Sequence, residues 1–299
     1  MRKDRTPLLF CEYEMIWGWS RHRAEFQPVT GSLVFNLGRI RARMDIRSNM
    51  FDLTGKTALV TGGGYGLGRG LVHGLAGHGA TVISVARSAD ALAETFSTLG
   101  SEHRYIVGDL TADDVYEELD SIDEHIDIIV NNAGGDPHSK PWGDQTTEEW
   151  RHTYEINVIA AERLCRLLTP KMVERGWGRV INVSSIYGSI GQDRRNTGIA
   201  AGAGAYTAAK HGLIGLTHYL ACQLGSTGVT VNTLSPGMIT WATPSEEHAA
   251  IWQHLADQTP VGRNSMPEDF VTATVFLAAE GSAFVNGHNL VVDGGWSIW

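Results

Sequence analysis

From Lys56 onward the chain carries seven short runs in which apolar residues follow one another instead of alternating with polar ones: "TALVTGG", "TVISVAR", "RYIVGDL", "IDIIVNNAGG", "RVINVSS", "VTVNTLSPG" and "NLVVDGG". Continuous apolar runs of this length describe strands buried on both faces, and such strands belong to a parallel sheet covered by helices. Helix-like segments such as "GRGLVHGLAGHG" and the long "EEWRHTYEINVIAAERLCRLLTPKMVERG" lie between them. Seven strands in βαβ succession predict an α/β fold: one doubly wound, seven-stranded parallel sheet with helices on both faces, in a single domain over residues 50–299. Ligands of such sheets bind beyond the carboxyl ends of the strands, so the polar and Gly-rich residues after each run are the candidates for function.

Composition removes several alternatives. With 299 residues, 42% hydrophobic and 19% charged, the chain is long enough to bury a substantial core. A net charge of −9 argues against a nucleic-acid surface, and no apolar run is long enough to span a bilayer. Cys11, Cys165 and Cys222 are odd in number and lack metal-ligand spacing, which suits a reducing cytoplasm without a disulfide framework. Glu246, Glu247 and His248 have no second cluster to complete a metal site, so no metal is expected. The first 49 residues differ, with nine Lys or Arg against five Asp or Glu. Glu12 and Glu14 interrupt their apolar stretch, so they make a poor signal peptide. They are expected to be either a flexible basic extension or residues ahead of a natural start at Met50; the second is the better reading, because the compact pattern begins at "MFDLTGKTALVTGG".

The first strand runs into "TGGGYGLG", Thr61 to Gly68, and then a helix. Glycines here permit a tight turn, let the backbone approach a pyrophosphate and leave a helix N-terminus to receive its charge, as in a Rossmann-type nucleotide site. The spacing Thr61-Gly62-x-x-x-Gly66-x-Gly68 departs from GxGxxG, since Arg69 and Leu71 stand where that pattern needs glycine. About twenty residues on, at the end of the second strand, an Asp or Glu grips the ribose of NAD, whereas an Arg accommodates the phosphate of NADP. The chain has Ala86 and then Arg87, which removes the repulsive carboxylate and adds a permanently charged donor. NADP is therefore expected over NAD, with Asp90 as the counter-argument and a solvated surface charge as the plain reading of Arg87.

The stretch "NVSSIYGSIGQDRRNTGIAAGAGAYTAAK" ends in Tyr206 and Lys210, four residues apart and so on one helix face. A tyrosine with a pKa of about 10 is a poor base at neutral pH, and a neighbouring ammonium is expected to lower it. Tyr206 could then exchange a proton with a carbonyl or alcohol oxygen; the plain alternative is an exposed i,i+4 pair. Tyr187 has no lysine four residues ahead and reads as a pocket wall. Asn182-Val-Ser matches a glycosylation sequon but falls in an expected buried strand.

The order and spacing of "TGGGYGLG", Asp109 in "GDL", "NNAG" at Asn131–Gly134, Asn157 in "EINV", "NVSS", Tyr206-Thr-Ala-Ala-Lys210, "SPGMI" and "VDGG" resemble the short-chain dehydrogenase/reductase superfamily, in its single-domain branch, from Met50 to the end. The resemblance implies an NAD(P)-dependent oxidoreductase exchanging hydride between nicotinamide and a carbonyl or secondary alcohol. It gives Tyr206 the acid/base role, and Lys210 the lowering of its pKa and the holding of the nicotinamide ribose. It makes Ser185 the group that polarises the substrate carbonyl and Asn157 the holder of a relay water, and leaves Ser184 structural, its hydroxyl spent on backbone. The implied cofactor contacts are Gly62, Tyr65, Gly66, Leu67, Gly68, Arg87, Asp109, Leu110, Asn132, Ala133, Gly134, Tyr206, Lys210, Pro236, Gly237, Ile239 and Thr240. Similar members act as 3-oxoacyl reductases or on keto-sugars and sugar acids, and they assemble as homotetramers or homodimers.

The gap from Ser185 to Tyr206 is several residues longer than usual for that family. It brings Arg194 and Arg195 toward the substrate mouth, where they either recognise an acidic group or solvate a loop. Trp241 and Trp252 belong to a lid or to ordinary packing, and His138 and Trp142 lie in the loop after "NNAG". Two rival functions stand: a nucleotide-binding regulatory protein without turnover, and sugar-nucleotide epimerisation or dehydration. The second needs a larger substrate domain than the roughly sixty residues after Gly237 supply.

Overall fold

Each of the seven apolar runs is a strand. The computed structural model describes residues 50–138, 140–141, 143–192, 204–240 and 246–298. The expectations for the N-terminal extension, Trp142, Arg194, Arg195 and Trp241 lie outside them. In chain order the elements are β1 (Thr57–Thr61), α1 (Gly66–Gly77), β2 (Thr81–Ala86), α2 (Ala89–Phe96), β3 (Arg104–Val107), α3 (Asp114–Asp120), β4 (Ile128–Asn131), α4 (Thr147–Tyr154), α5 (Ala160–Arg175), β5 (Gly178–Val183), α6 (Gly204–Leu224), β6 (Val229–Pro236), α7 (Glu246–Gln258), α8 (Val271–Ala278) and β7 (Asn289–Val292).

All strand pairs are parallel, in the order β3-β2-β1-β4-β5-β6-β7. The chain winds outward from β1 to β3, returns to place β4 beside β1, and winds out again to β7. The loops after β1 and β4 therefore part in opposite directions and open a crevice at the carboxyl edge. Alternate residues of each strand feed two cores. Leu59, Ile129, Val180 and Val231 face Leu164 and Met172 of α5 and Ala221 of α6. Ala58, Ile128, Ile181 and Leu234 face Leu71 and Leu75 of α1 and Val275 and Leu277 of α8. Each such Leu, Ile or Val contributes about 1.5–3 kcal/mol by leaving water. Asn182, in the sequon, is fully buried in β5.

The long helical segment around Asn157 is not continuous. α4 begins at a capping box, Thr146 with Glu149, and a wide π-helical turn at Glu155–Ile159 separates it from α5. There the Ala160 N–H reaches the Glu155 carbonyl, five residues back. The Asn157 amide donates to the Thr153 carbonyl (2.8 Å), giving that oxygen a partner inside the widened turn. Such turns insert one residue into a helix and re-aim the side chain they carry.

Candidate active site

The turn after β1 is built by what its residues lack. Gly62 and Gly66 have φ of 71° and 50°, backbone conformations that favour glycine. A methyl group on Gly68 would lie 2.1 Å from the Gly62 carbonyl oxygen, so only glycine lets α1 start this close to β1. The turn is tied to the loop after β4: the Thr61 hydroxyl accepts from the Asn132 and Ala133 N–H groups (3.0 and 2.9 Å), and the Asn132 amide donates to the Thr61 carbonyl (2.8 Å).

These loops border a cleft of about 460 Å³ at the carboxyl edge, on the β1–β4 side. Eleven of the expected nucleotide contacts line it: Gly62, Tyr65, Gly66, Leu67, Gly68, Arg87, Asp109, Leu110, Asn132, Ala133 and Gly134. Ala86 and exposed Arg87 stand at the end of β2, while Asp90 sits in the first turn of α2 and is not part of the lining. The Asp109 carboxyl is held below its usual range, first by the Thr111 N–H and further by the Thr111 hydroxyl and the nearby Arg87 charge. Reading the sequence did not single out Ser88, Gly108 or Ile156. Ser88 was findable as the N-cap of "ADALAETF"; its hydroxyl accepts from the Ala91 N–H and lies 3.3 Å from the Tyr65 hydroxyl.

Pro236, Gly237, Ile239 and Thr240 do not line this cleft; Pro236 ends β6 and the other three follow it along the same edge. The Gly237 N–H donates to the Val292 carbonyl (3.0 Å), the Thr240 N–H donates to the Ser265 carbonyl (2.8 Å), and the Ser265 N–H donates to the Met238 carbonyl (2.9 Å). The Thr240 hydroxyl is buried with no hydrogen-bond partner, a polar atom that a ligand's amide or hydroxyl would satisfy.

The four expected catalytic residues come together between these two regions. Ser185 lies two residues past the end of β5, 8% exposed, and its hydroxyl hydrogen-bonds to Tyr206 near the start of α6. Lys210 is 3% exposed, and its ammonium donates to the Val183 carbonyl (2.9 Å) and lies 5.4 Å from the Tyr206 ring centre. Asn157 accepts from the Gly135 N–H (3.0 Å) and donates to the Gly135 carbonyl (2.8 Å), which fixes the loop after β4. A methyl group on Gly134 would fall 2.5 Å from Asn157 Oδ1 and 3.2 Å from Lys210 Nζ, so that glycine keeps open the space between them. Ser184 donates to the Lys210 carbonyl (3.0 Å), a backbone partner as expected. Tyr187 lies beside Tyr206, and burial pushes its phenol up to about 12.

The charge balance differs from the expected one. Burial pushes the Tyr206 phenol up to about 12, opposed by the Ser185 hydrogen bond and reinforced by the nearby Asp136 carboxylate. Burial also brings the Lys210 ammonium down to about 7. Burial therefore acts against the charged form of both groups, and for the phenol it outweighs the lowering expected from Lys210. At neutral pH Tyr206 is a protonated donor.

The remaining candidates fall outside this cluster. His138 packs its ring against His152 (5.3 Å) and lies 3.9 Å from Glu149, which Lys140 also contacts. Trp252 is half-buried on α7. Among the described residues no group of three or more His, Cys, Asp or Glu is arranged to hold a metal ion, and no helix is long and apolar enough to cross a membrane.

Comparison with known proteins adds sequence kinship to this geometry. Residues 62–297 match the family model described as enoyl-(acyl carrier protein) reductase. The chain is 37% identical over 255 residues to 2-dehydro-3-deoxy-D-gluconate 5-dehydrogenase of Bacillus subtilis, covering 82% of this chain and 96% of that protein. It is 35% identical over 251 residues to a 3-oxoacyl-[acyl-carrier-protein] reductase of Pseudomonas aeruginosa, covering 82% and 98%. A crystal structure of gluconate 5-dehydrogenase from Burkholderia cenocepacia, in complex with NADP and tartrate, superimposes with a TM-score of 0.72 at 28% identity, covering 83% and 97%.

Proposed function

The chain belongs to the short-chain dehydrogenase/reductase family, and on that premise we propose that it is an NADP-preferring oxidoreductase that interconverts a carbonyl and a secondary alcohol. Its substrate is a keto-sugar, a sugar acid or a 3-oxoacyl compound, the classes named by its relatives. The observation that carries the reading is the convergence of Ser185, Tyr206 and Lys210 at the carboxyl edge, one loop away from a cleft whose β2 corner offers Arg87 and no carboxylate.

The Gly62–Gly68 turn and the α1 N-terminus would hold the pyrophosphate, Arg87 the ribose phosphate, and Thr240 the carboxamide; the bound dinucleotide supplies the hydride. Ser185 donates to the substrate oxygen and strengthens its polarisation as charge develops there. Tyr206, a neutral phenol at pH 7, gives that oxygen its proton. Lys210, poised near 7 beside Asn157 and Gly134, is placed to restore the lost proton. Reduction accordingly runs at neutral pH, whereas oxidation needs the phenolate and rises as pH climbs toward the phenol's pKa. We also propose a homotetramer in a reducing cytoplasm: Ile159, the last residue of the π-helical turn, and Tyr219 on α6 are 40% and 62% exposed, surface that a second copy would cover.

The test is purified protein with NADPH, and separately NADH, against β-ketoesters, keto-sugars and simple diketones, followed at the nicotinamide absorbance band. The reading expects turnover with one class, faster with NADPH. Faster turnover with NADH would remove Arg87 from its role.

A further inference from the structure

The face of the sheet that meets α5 and α6 is apolar up to one rung below the catalytic edge. Ile129, Val180 and Val231 lie in register across β4, β5 and β6, all fully buried. Two residues further along, the next rung on the same face is polar: Asn131 pairs with Asn182, and Asn182 with Thr233. These side chains are joined. Asn131 Nδ2 donates to Asn182 Oδ1 (2.8 Å), and Asn182 Nδ2 donates to the hydroxyl of Thr217 on α6 (2.8 Å). Thr233 donates its hydroxyl to the same oxygen (2.8 Å), and the Thr217 proton goes to the Leu213 carbonyl (3.0 Å). Asn182, Thr217 and Thr233 are each within 1% of complete burial.

From this arrangement we infer that Thr217 is a positioning residue for the reaction: held by Asn182 and Thr233, it sets the axial register and rotation of α6, and so where Tyr206 and Lys210 fall. The inference rests on the oxidoreductase reading of that site. Thr217 lies seven residues beyond Lys210, two helical turns down the same face and about 10 Å along the axis. Between them the same face carries Leu213, fully buried, and Ile214, which reaches the Gly188 turn after β5. Such apolar contacts hold the helix close but are non-directional, so they set its register less sharply than hydrogen bonds do. A satisfied buried hydrogen-bond set has one geometry only, because sliding the helix strands every group in it. The upper end of α6 is fastened to β5 by Ser184 on the Lys210 carbonyl and by Lys210 Nζ on Val183; Thr217 is the second fastening, below them. Two fastenings on one strand make α6 and β5 a rigid pair, and β5 delivers Ser185.

The experiment compares Thr217→Val, which keeps shape and removes the hydroxyl, with Thr217→Ser, which keeps the hydroxyl. For Thr217→Val the inference expects kcat for NADPH-dependent reduction to fall roughly 10–100-fold, the cost of a misplacement of about 1 Å or less at the reacting centre. The apparent pKa in the pH–rate profile moves with it, NADPH affinity measured by nucleotide fluorescence is unchanged, and Thr217→Ser regains most of the rate. A lower melting temperature with kcat and pH profile unchanged would overturn the inference and leave the polar rung a purely structural device. Should Thr217→Val fail to fold, Thr233→Val removes one of the three bonds and is expected to move the same two readouts less far; no movement there overturns the inference as well. An independent readout needs no substrate. The absorbance titration of wild type minus Tyr206→Phe reports the Tyr206 phenol, and the same difference taken in the Thr217→Val background is expected to be displaced. Wild-type protein that turns over no carbonyl while this displacement is seen would overturn the oxidoreductase reading but not the positioning role.

Discussion

At the nucleotide end of the cleft the decisive positions are those without a side chain, whereas at the catalytic end they are buried polar side chains. Gly68 admits the Gly62 carbonyl where a methyl group would collide at 2.1 Å, and the Thr61 and Thr95 hydroxyls brace the turn. Around Tyr206 the shape comes instead from Asn157 clamping Gly135, Ser184 holding the Lys210 carbonyl, and the rung of Asn131, Asn182, Thr217 and Thr233. The first end binds by open backbone and a helix terminus, which tolerates polar change but no bulk. The second end tolerates conservative changes of volume but no loss of a donor. Substitutions at the two ends should therefore fail in different measurements.

The largest effect on cofactor binding is expected from Gly68→Ala. Pushing a methyl group into the Gly62 backbone costs about 3 kcal/mol, the upper end of overpacking, and shows as a roughly 100-fold loss of NADPH affinity in a fluorescence titration. Retained affinity would mean that the turn yields, and the contrast between the two ends would weaken. Next is Arg87→Ala. Losing one exposed charge-assisted contact costs about 1.5 kcal/mol, so the ratio of kcat/KM for NADPH over NADH should fall roughly tenfold while NADH turnover holds. A change of equal size with both cofactors would point to general loss of the cleft.

The smallest effect, and the most diagnostic for the catalytic end, is on stability. Burial lowers the Lys210 pKa to about 7 from an ordinary value of 10.5. Above both values the group is neutral in the folded and unfolded chain and costs nothing; as pH falls through this window toward 7 the unfolded chain takes up the proton first, and folding stability is lost. Lys210→Met should thus abolish turnover yet raise the melting temperature at neutral pH, by about 2–4 °C for each kcal/mol relieved, with a larger gain at pH 6 than at pH 10. A lowered melting temperature at pH 6 would show that the bond to Val183 outweighs the desolvation.

How much of this was legible in the sequence follows the same division. The strands were readable because burial on both faces leaves unbroken apolar runs, and the nucleotide turn because glycines punctuate it. Arg87 was readable from its offset to that turn. The π-helical turn at Asn157 was not, since "EEWRHTYEINVIAAERL" has the propensity of one continuous helix and the extra residue is decided by the tertiary clamp on Gly135. Thr217 was invisible for a related reason. A threonine in the middle of a helix carries no local signal, and its partners lie 35 and 16 residues away on two strands. The burial of Lys210 was not legible either, because spacing shows that Tyr206 and Lys210 share a face but not how far each is withdrawn from water.

The measurement that bears most directly on the account is Tyr206→Phe, assayed for NADPH affinity and for carbonyl reduction on the same preparation. Removing the proton donor while leaving the glycine turn intact should cut kcat by roughly 10²–10⁴, the usual worth of general acid catalysis, at unchanged NADPH affinity. Reduction at the wild-type rate would contradict the account. It would hand the chemistry to another group and leave Tyr206 as no more than a wall of the pocket.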